Sequence, residues 1–181
     1  ALSQGKFNLI PLEASKEIAR ITRSNKITIK KIKDLESITE HDTASLVQAI
    51  SEYCSPSTKP WIPYGLTSND VIDTSTSMQL KEAFEIIEPK ILKLILLLIS
   101  KVRRYNSLPS VGRTHGQHAS IISFGLKFAV WANELSYHVE RIEEGKKRFL
   151  LCKTLGVVGT GSLMGSKALD VQKSVAKSLG L

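Results

Sequence analysis

Apolar residues recur along most of the chain at steps of three and four, the spacing that places them on one face of a helix. In residues 27–53 the apolar positions are Ile29, Ile32, Leu35, Ile38, Leu46, Ala49 and Ile50. They predict one or two helices with a break near Thr39. Residues 10–23 read as a short helix, with Pro11 suited to the first turn and Glu13 placed at its positive end. Pro56, Pro60, Pro63 and Gly65 mark 55–73 as a loop. Asp73 or Thr74 then predicts the cap of a long helix reaching about Arg104, with a kink or short break at Pro89. A second loop is expected over 106–118, which holds Pro109, Gly112 and Gly116. Beyond it a second long helix is predicted over about 119–153, with Phe124, Phe128, Trp131, Leu135 and Val139 on one stripe. Residues 156–165 are glycine-rich and read as a loop, and a last helix runs from about Gly165 to Gly180. No segment reads as a strand.

Long helices joined by polar loops predict an all-α fold, a long-helix bundle. Two divisions are expected: a mostly helical N-terminal domain over 1–73, and the start of a central bundle over 74–181. Each long helix would run roughly 45 Å at ~1.5 Å per residue. Such lengths suggest a core shared between subunits. The run ILKLILLLI (91–99) is too short to span a bilayer and is interrupted by Lys93, so it reads as a helix buried on nearly every side.

Composition narrows the functional classes. With 25 Lys and Arg against 17 Asp and Glu, the formal charge is +8. Nucleic acid, anionic lipid or a multiply charged small substrate would each suit that balance. The basic residues form no single tract; most follow helical spacing, as solvated faces do. Cys54 and Cys152 lie far apart, without metal-type spacing, which points to a reducing compartment rather than a disulfide framework. The first residues lack the basic-then-apolar pattern of a signal peptide.

Three polar clusters could carry chemistry: residues 39–43 (TEHDT), 64–74 (YGLTSNDVIDT) and 112–119 (GRTHGQHA). The last two lead into predicted helices, where unpaired N–H groups and the helix dipole favour an anion. Hydroxyls of Thr67, Ser68 and Thr114 would add donors, and His41 and His115 are acid–base candidates. Each cluster also has a plain structural reading. Asp and Thr before an apolar run are ordinarily caps, and a lone His such as His41 or His138 is ordinarily structural. His115 stands between Gly112 and Gly116, which let a backbone approach a ligand closely. His115 and His118 have no third ligand at matching spacing, so no metal is expected. Nucleotide-loop, nucleophile-elbow and zinc-protease motifs are absent.

YGLTSNDVIDT and GRTHGQHA resemble characteristic regions of the fumarase/aspartase superfamily, and in detail its adenylosuccinate lyase family. FGLKFAVWANEL (124–135), LGVVGTGS (155–162) and EHDTASLV (40–47) are similar to the same family. The resemblance implies a homotetrameric bundle of long helices with each active site built from three subunits. It implies elimination of fumarate from adenylosuccinate, and from the succinyl-carboxamide ribotide, in the cytoplasm and without a cofactor. His115 matches the general acid and Thr114 its succinyl-contacting neighbour. His41 matches the other active-site histidine, with Asp42 beside it near the nucleotide. Thr67 and Ser68 match the carboxylate-binding pair, and Asn69 and Gln117 complete the implied substrate contacts. Asp70 and Asp73 fit helix-entry carboxylates.

Two departures stand out. Pro63 occupies a position where family members often carry His. The family's flexible loop, S-S-x-M-P-x-K-x-N-P, whose serine is held to be the base, has no counterpart, so the chain reads as a fragment without activity of its own. Three other readings stay open: another fumarate-releasing or cycloisomerase member of the superfamily, a non-catalytic structural subunit, and a basic nucleic-acid-binding module. Only Arg103–Arg104 and Lys146–Arg148 form local basic clusters for the last.

Overall fold

A computed structural model describes all 181 residues. Seven helices and one hairpin follow in the order α1 (Leu2–Lys6), α2 (Leu12–Thr22), α3 (Ile29–Thr39), α4 (Asp42–Ser51), α5 (Ser68–Tyr105), β1 (Pro109–Thr114), β2 (Gln117–Ser123), α6 (Phe124–Phe149) and α7 (Ala168–Leu179). Short 3₁₀ turns occupy Lys59–Trp61 and Ser162–Lys167. The chain forms two compact units, 1–78 with 151–181, and 79–150.

In the first unit α2 and α4 bury apolar residues of their periodic faces, whereas α3 buries none and leaves Ile29 and Ile38 exposed. Ile18 and Ile21 of α2 meet Ile50 and Cys54, with Leu46, Trp61 and Ile62 packed around them. A second cluster joins Met164, Ala168 and Val171 to Phe7 and Leu9. Helix α3 opens on Thr28, whose Oγ1 accepts the Lys31 N–H at 3.2 Å. It ends at Glu40, whose φ of 52° turns the chain into α4. The predicted break near Thr39 is therefore this left-handed residue. Glu17 of α2 fastens the proline-containing segment, accepting from the Ser55 N–H (2.9 Å), the Ser55 hydroxyl (2.7 Å) and the Thr58 hydroxyl (2.5 Å).

Helix α5 starts earlier than the sequence suggests. Its cap is set by Asp70, which reaches back to the Thr67 N–H at 2.9 Å, so the first turn forms at Ser68. The expected caps have other duties: Asp73 pairs with Lys153 at 3.1 Å, and the Thr74 hydroxyl bonds the Lys153 backbone. The helix also passes Pro89 without a break. One ladder bond is lost there, but Glu85 and Pro89 lie on an exposed face where water can take the freed carbonyl.

The second unit corrects the expected loop over 106–118. It is an antiparallel hairpin, with Pro109 opposite Ser123, Thr114 opposite Gln117, and a bulge between Gly112 and Arg113. Helix α6 consequently begins at Phe124, where the Ser123 hydroxyl accepts the Gly125 N–H at 3.1 Å. It ends at Phe149 rather than Lys153. Gly125 is required by close approach: a Cβ there would lie 3.0 Å from the Asn106 backbone and the Val102 carbonyl. Tyr105, Phe124, Phe128 and Trp131 pack edge-to-face in succession with centroids 5.3–5.8 Å apart, and Tyr105 also lies tilted against Phe128 at 5.9 Å. Glu88 and Lys146 pair at 2.6 Å between α5 and α6.

At 38 residues α5 spans about 57 Å, and the 26 residues of α6 about 39 Å. The apolar run 91–99 is not buried on nearly every side: only Leu98 is buried, while Leu92, Leu94, Leu96, Leu97 and Ile99 are exposed in the single chain. A helix with apolar residues all round needs cover on all sides, and one neighbouring helix supplies one side. No helix is long and apolar enough to cross a membrane.

Candidate active site

The predicted site residues fall into two groups, one in each unit. In the first, His41, Thr67 and Ser68 line one cavity of about 390 Å³. Helix α4 supplies His41 from its N-cap, and the start of α5 supplies Thr67 and Ser68. Apolar side chains, Leu46, Val47, Ile50, Ile62 and Val71 among them, form much of the rest of the wall. A mostly apolar pocket with a few convergent polar groups is the usual form of a small-molecule site. Pro63, the position of the departure noted above, is also part of the wall.

The local chemistry of His41 is set by its capping role. Its Nδ1 accepts the Ala44 N–H at 3.3 Å. Its carbonyl accepts the Ser45 hydroxyl at 2.6 Å, and Ser45 is itself 2.6 Å from the Thr39 hydroxyl. Asp42 does not line the cavity. Its carboxylate accepts from the Thr43 N–H (2.5 Å) and the Thr43 hydroxyl (3.1 Å) and lies 3.3 Å from His41 Nδ1. The Thr43 N–H above all, with the Thr43 hydroxyl next, holds the Asp42 carboxyl below its ordinary range.

Asn69 is exposed on the first turn of α5 and does not line the cavity either. Asp70 is 2% exposed, and its Oδ2 accepts both the Thr67 N–H and the Gly156 N–H at 2.9 Å. A buried carboxylate thus already meets the positive end of α5. The donors left to attract a ligand anion are the hydroxyls of Thr67 and Ser68 and the ring of His41, more than the helix dipole.

In the second unit, Thr114, His115 and Gln117 sit at the tip of the hairpin. Thr114 faces Gln117, and His115 with Gly116 makes a two-residue turn with φ of 51° and 73°. Both residues are left-handed, as the primed hairpin turns demand. Glycine adopts this without strain; a histidine pays roughly 1–2 kcal/mol. Non-glycine residues held in that region cluster at functional sites. The tip is exposed throughout, so the imidazole of His115 stands clear of its own unit. His118 is engaged on the strand, 3.4 Å from the Arg113 guanidinium.

Sequence reasoning did not name the apolar wall. Leu46, Val47 and Ile50 share a face of α4, but their spacing reads equally well as core, and Ile62 lies in a proline-rich segment without periodicity.

A family model described as Lyase matches residues 4–181. Over all 181 residues the chain is 40% identical to an adenylosuccinate lyase of Methanocaldococcus jannaschii, covering 39% of that protein. It is 34% identical over the same span to the adenylosuccinate lyase of Methanothermobacter thermautotrophicus, covering 40% of it. The crystal structure of a fumarate lyase from Mesorhizobium superposes on 99% of the chain with a TM-score of 0.90 at 30% identity, and the match covers 42% of that structure. The chain spans about 40% of the length of the curated relatives it matches. With a family match over residues 4–181 and the same fold as a solved fumarate lyase, the chain belongs to the lyase family.

Proposed function

We propose that the chain is part of an adenylosuccinate lyase, which eliminates fumarate from adenylosuccinate and from the succinyl-carboxamide ribotide in purine biosynthesis. The observation that carries the reading is the convergence of His41, Thr67 and Ser68, from segments 26 residues apart, on one cavity. In the elimination a base removes a proton from the succinyl carbon next to the one bonded to nitrogen. The C–N bond breaks as the C=C bond of fumarate forms, and an acid protonates the departing nitrogen. His115 is the proposed acid, a reading supported by the exposure of its ring on the hairpin turn. Thr67, Ser68 and Thr114 are proposed donors to the substrate's carboxylates, and Asp42, Asn69 and Gln117 flanking contacts. Hydroxyl and imidazole donors aimed at developing carboxylate charge gain strength where water is sparse.

The base is proposed to lie outside residues 1–181, so turnover belongs to a longer polypeptide. The exposed apolar residues of α5 and α6 fit the homotetramer implied by the resemblance, with three subunits contributing to each site and with the cytoplasm as its compartment. The +8 charge fits a substrate with one phosphate and two carboxylates; no nucleic acid partner is proposed. The domain division at residue 73 is kept as a proposal about the whole enzyme. Pro63 in the cavity wall favours a second reading, a related succinyl adduct as substrate, because its ring cannot donate where an imidazole could.

The test is fumarate release from adenylosuccinate by the complete polypeptide, by its His115→Ala variant and by residues 1–181 alone. Turnover is expected in the first, a loss of about 10²–10⁴-fold in the second, and none in the third. A fully active His115→Ala variant would remove His115 from the acid role, and an inactive complete polypeptide would remove the adenylosuccinate reading.

A further inference from the structure

Two neighbours make opposite demands on His41 Nδ1. The Ala44 N–H, 3.3 Å away, needs a lone pair on that nitrogen; the Asp42 carboxylate, also 3.3 Å away, needs a proton on it. Asp42 Oδ1 already accepts two bonds from Thr43. The Ala44 N–H is one of the orphan donors in the first turn of α4, at the position an N-cap side chain normally serves. In the neutral ring the lone pair therefore stays on Nδ1 and the proton resides on Nε2, since the bond made by one ring nitrogen fixes the other. If the ring gains a second proton, Nδ1–H turns to Asp42 and Nε2–H is unchanged. Nε2 is a donor in both states, and it becomes an acceptor only if α4 loses its cap.

We infer that His41 meets the ligand of its cavity as a hydrogen-bond donor through Nε2–H, with Nδ1 committed to capping α4. The Thr67 and Ser68 hydroxyls on the same wall can donate as well, so this rim takes an acceptor-rich group, a carboxylate or phosphate. That assigns His41 to holding the anion rather than to abstracting a proton. The ligand half of this inference rests on the proposed lyase reading; the ring assignment does not.

Ring ¹⁵N spectra of residues 1–181 at about pH 8.5, where imidazoles are ordinarily neutral, decide the tautomer. An unprotonated Nδ1 and a protonated Nε2 are expected; the reverse overturns the inference whatever the enzyme does. Two variants separate the ring's functions. Asn can cap but lacks the distal donor, whereas Gln carries a distal amide and caps poorly. His41→Asn is expected to keep the thermal midpoint, and His41→Gln to lower it by roughly 2–4 °C. In the complete polypeptide, His41→Asn is expected to raise KM for adenylosuccinate about 10–100-fold, with His41→Gln recovering part of that and kcat changing less. A collapse of kcat with KM unchanged in both variants would make His41 a proton-transfer group and sink the inference. Absence of fumarate release from the unmutated polypeptide would instead remove the lyase reading, with the ring assignment still decided by the spectra.

Discussion

Asp70 ties the start of the long helix to the glycine-rich loop, and its removal should destabilise the first unit strongly. One oxygen, Oδ2, accepts the N–H of Thr67 and the N–H of Gly156, both at 2.9 Å. The residue is 2% exposed. A hydrogen bond to a charged group contributes about 1.5–3 kcal/mol, and an abandoned buried N–H costs about 1–3 kcal/mol. Water can reach part of the Thr67 segment at the helix start, so the two losses do not simply add. A loss of about 3 kcal/mol is expected for Asp70→Ala, against a total stability of roughly 5–15 kcal/mol for an ordinary domain. At roughly 2–4 °C per kcal/mol for a chain of this size, the midpoint should fall by about 6–12 °C.

Asp70→Asn sharpens the test. Both N–H groups donate to the same oxygen, so an amide carbonyl at that position keeps both bonds. The amide nitrogen would replace Oδ1, which is buried without a partner and belongs to a residue in the same cavity wall as Gln4 and Thr154, whose Oε1 and Oγ1 are likewise unpartnered. A donor at Oδ1 is therefore tolerated, and Asp70→Asn should cost only about 1 kcal/mol, from the lost charge. Thermal melts followed by helical circular dichroism measure both variants on one scale. A loss under about 1 kcal/mol for Asp70→Ala, or equal losses for the two, would refute the shared-oxygen account.

Glu17 should shape acid stability. The hydroxyls of Thr58 and Ser55 and the Ser55 N–H lower its pKa from 4.5 to about 2 in the fold. Since the folded value is the depressed one, its contribution is complete above pH 4.5 and is lost as pH falls towards about 2. Denaturant midpoints of Glu17→Gln and the parent should therefore converge as pH falls across that window, and a constant gap would contradict the assignment. Gly125→Ala should destabilise by roughly 1–3 kcal/mol, because its Cβ would press on backbone atoms of 102–106 that cannot turn aside; a neutral result in a thermal melt would show that α6 can slide away.

The helices were legible where one apolar face meets one core. Helix α4 shows this: Leu46, Ala49 and Ile50 carry the helical period and face the core, and the break before it fell beside Glu40, where the chain turns left-handed. Two features were hidden because their determinants are not periodic. The hairpin was read as a loop because Gly112 and Gly116 usually punctuate loops, whereas here Gly112 adjoins a bulge and Gly116 completes a two-residue turn. The true start of α5 was masked because Asp70, three residues in, serves as the reciprocal cap, while the stronger-looking Asp73 and Thr74 bind Lys153. The second error concerns polar residues whose partners lie up to 86 residues away, as for Asp70 and Gly156, and no local pattern carries such pairings.

The site follows the same division. The motifs singled out candidate polar residues, but not what each ring or carboxylate is already doing in the fold. In sequence His41 and Asp42 read as an acid–base candidate and a neighbouring nucleotide contact; in the fold the His41 Nδ1 accepts a helix-cap bond from Ala44 and the Asp42 carboxylate accepts from Thr43. His115 reads in sequence as an acid–base candidate between two glycines of a loop; in the fold it occupies a left-handed turn position that glycine would fill at lower energy. That strain is a physical reason to test for function at the hairpin tip. Its exposed ring and the cavity at His41 belong to different units, each holding only part of the proposed chemistry. Fumarate release by the complete polypeptide, measured for His115→Ala beside His41→Asn, tests whether both parts serve one reaction.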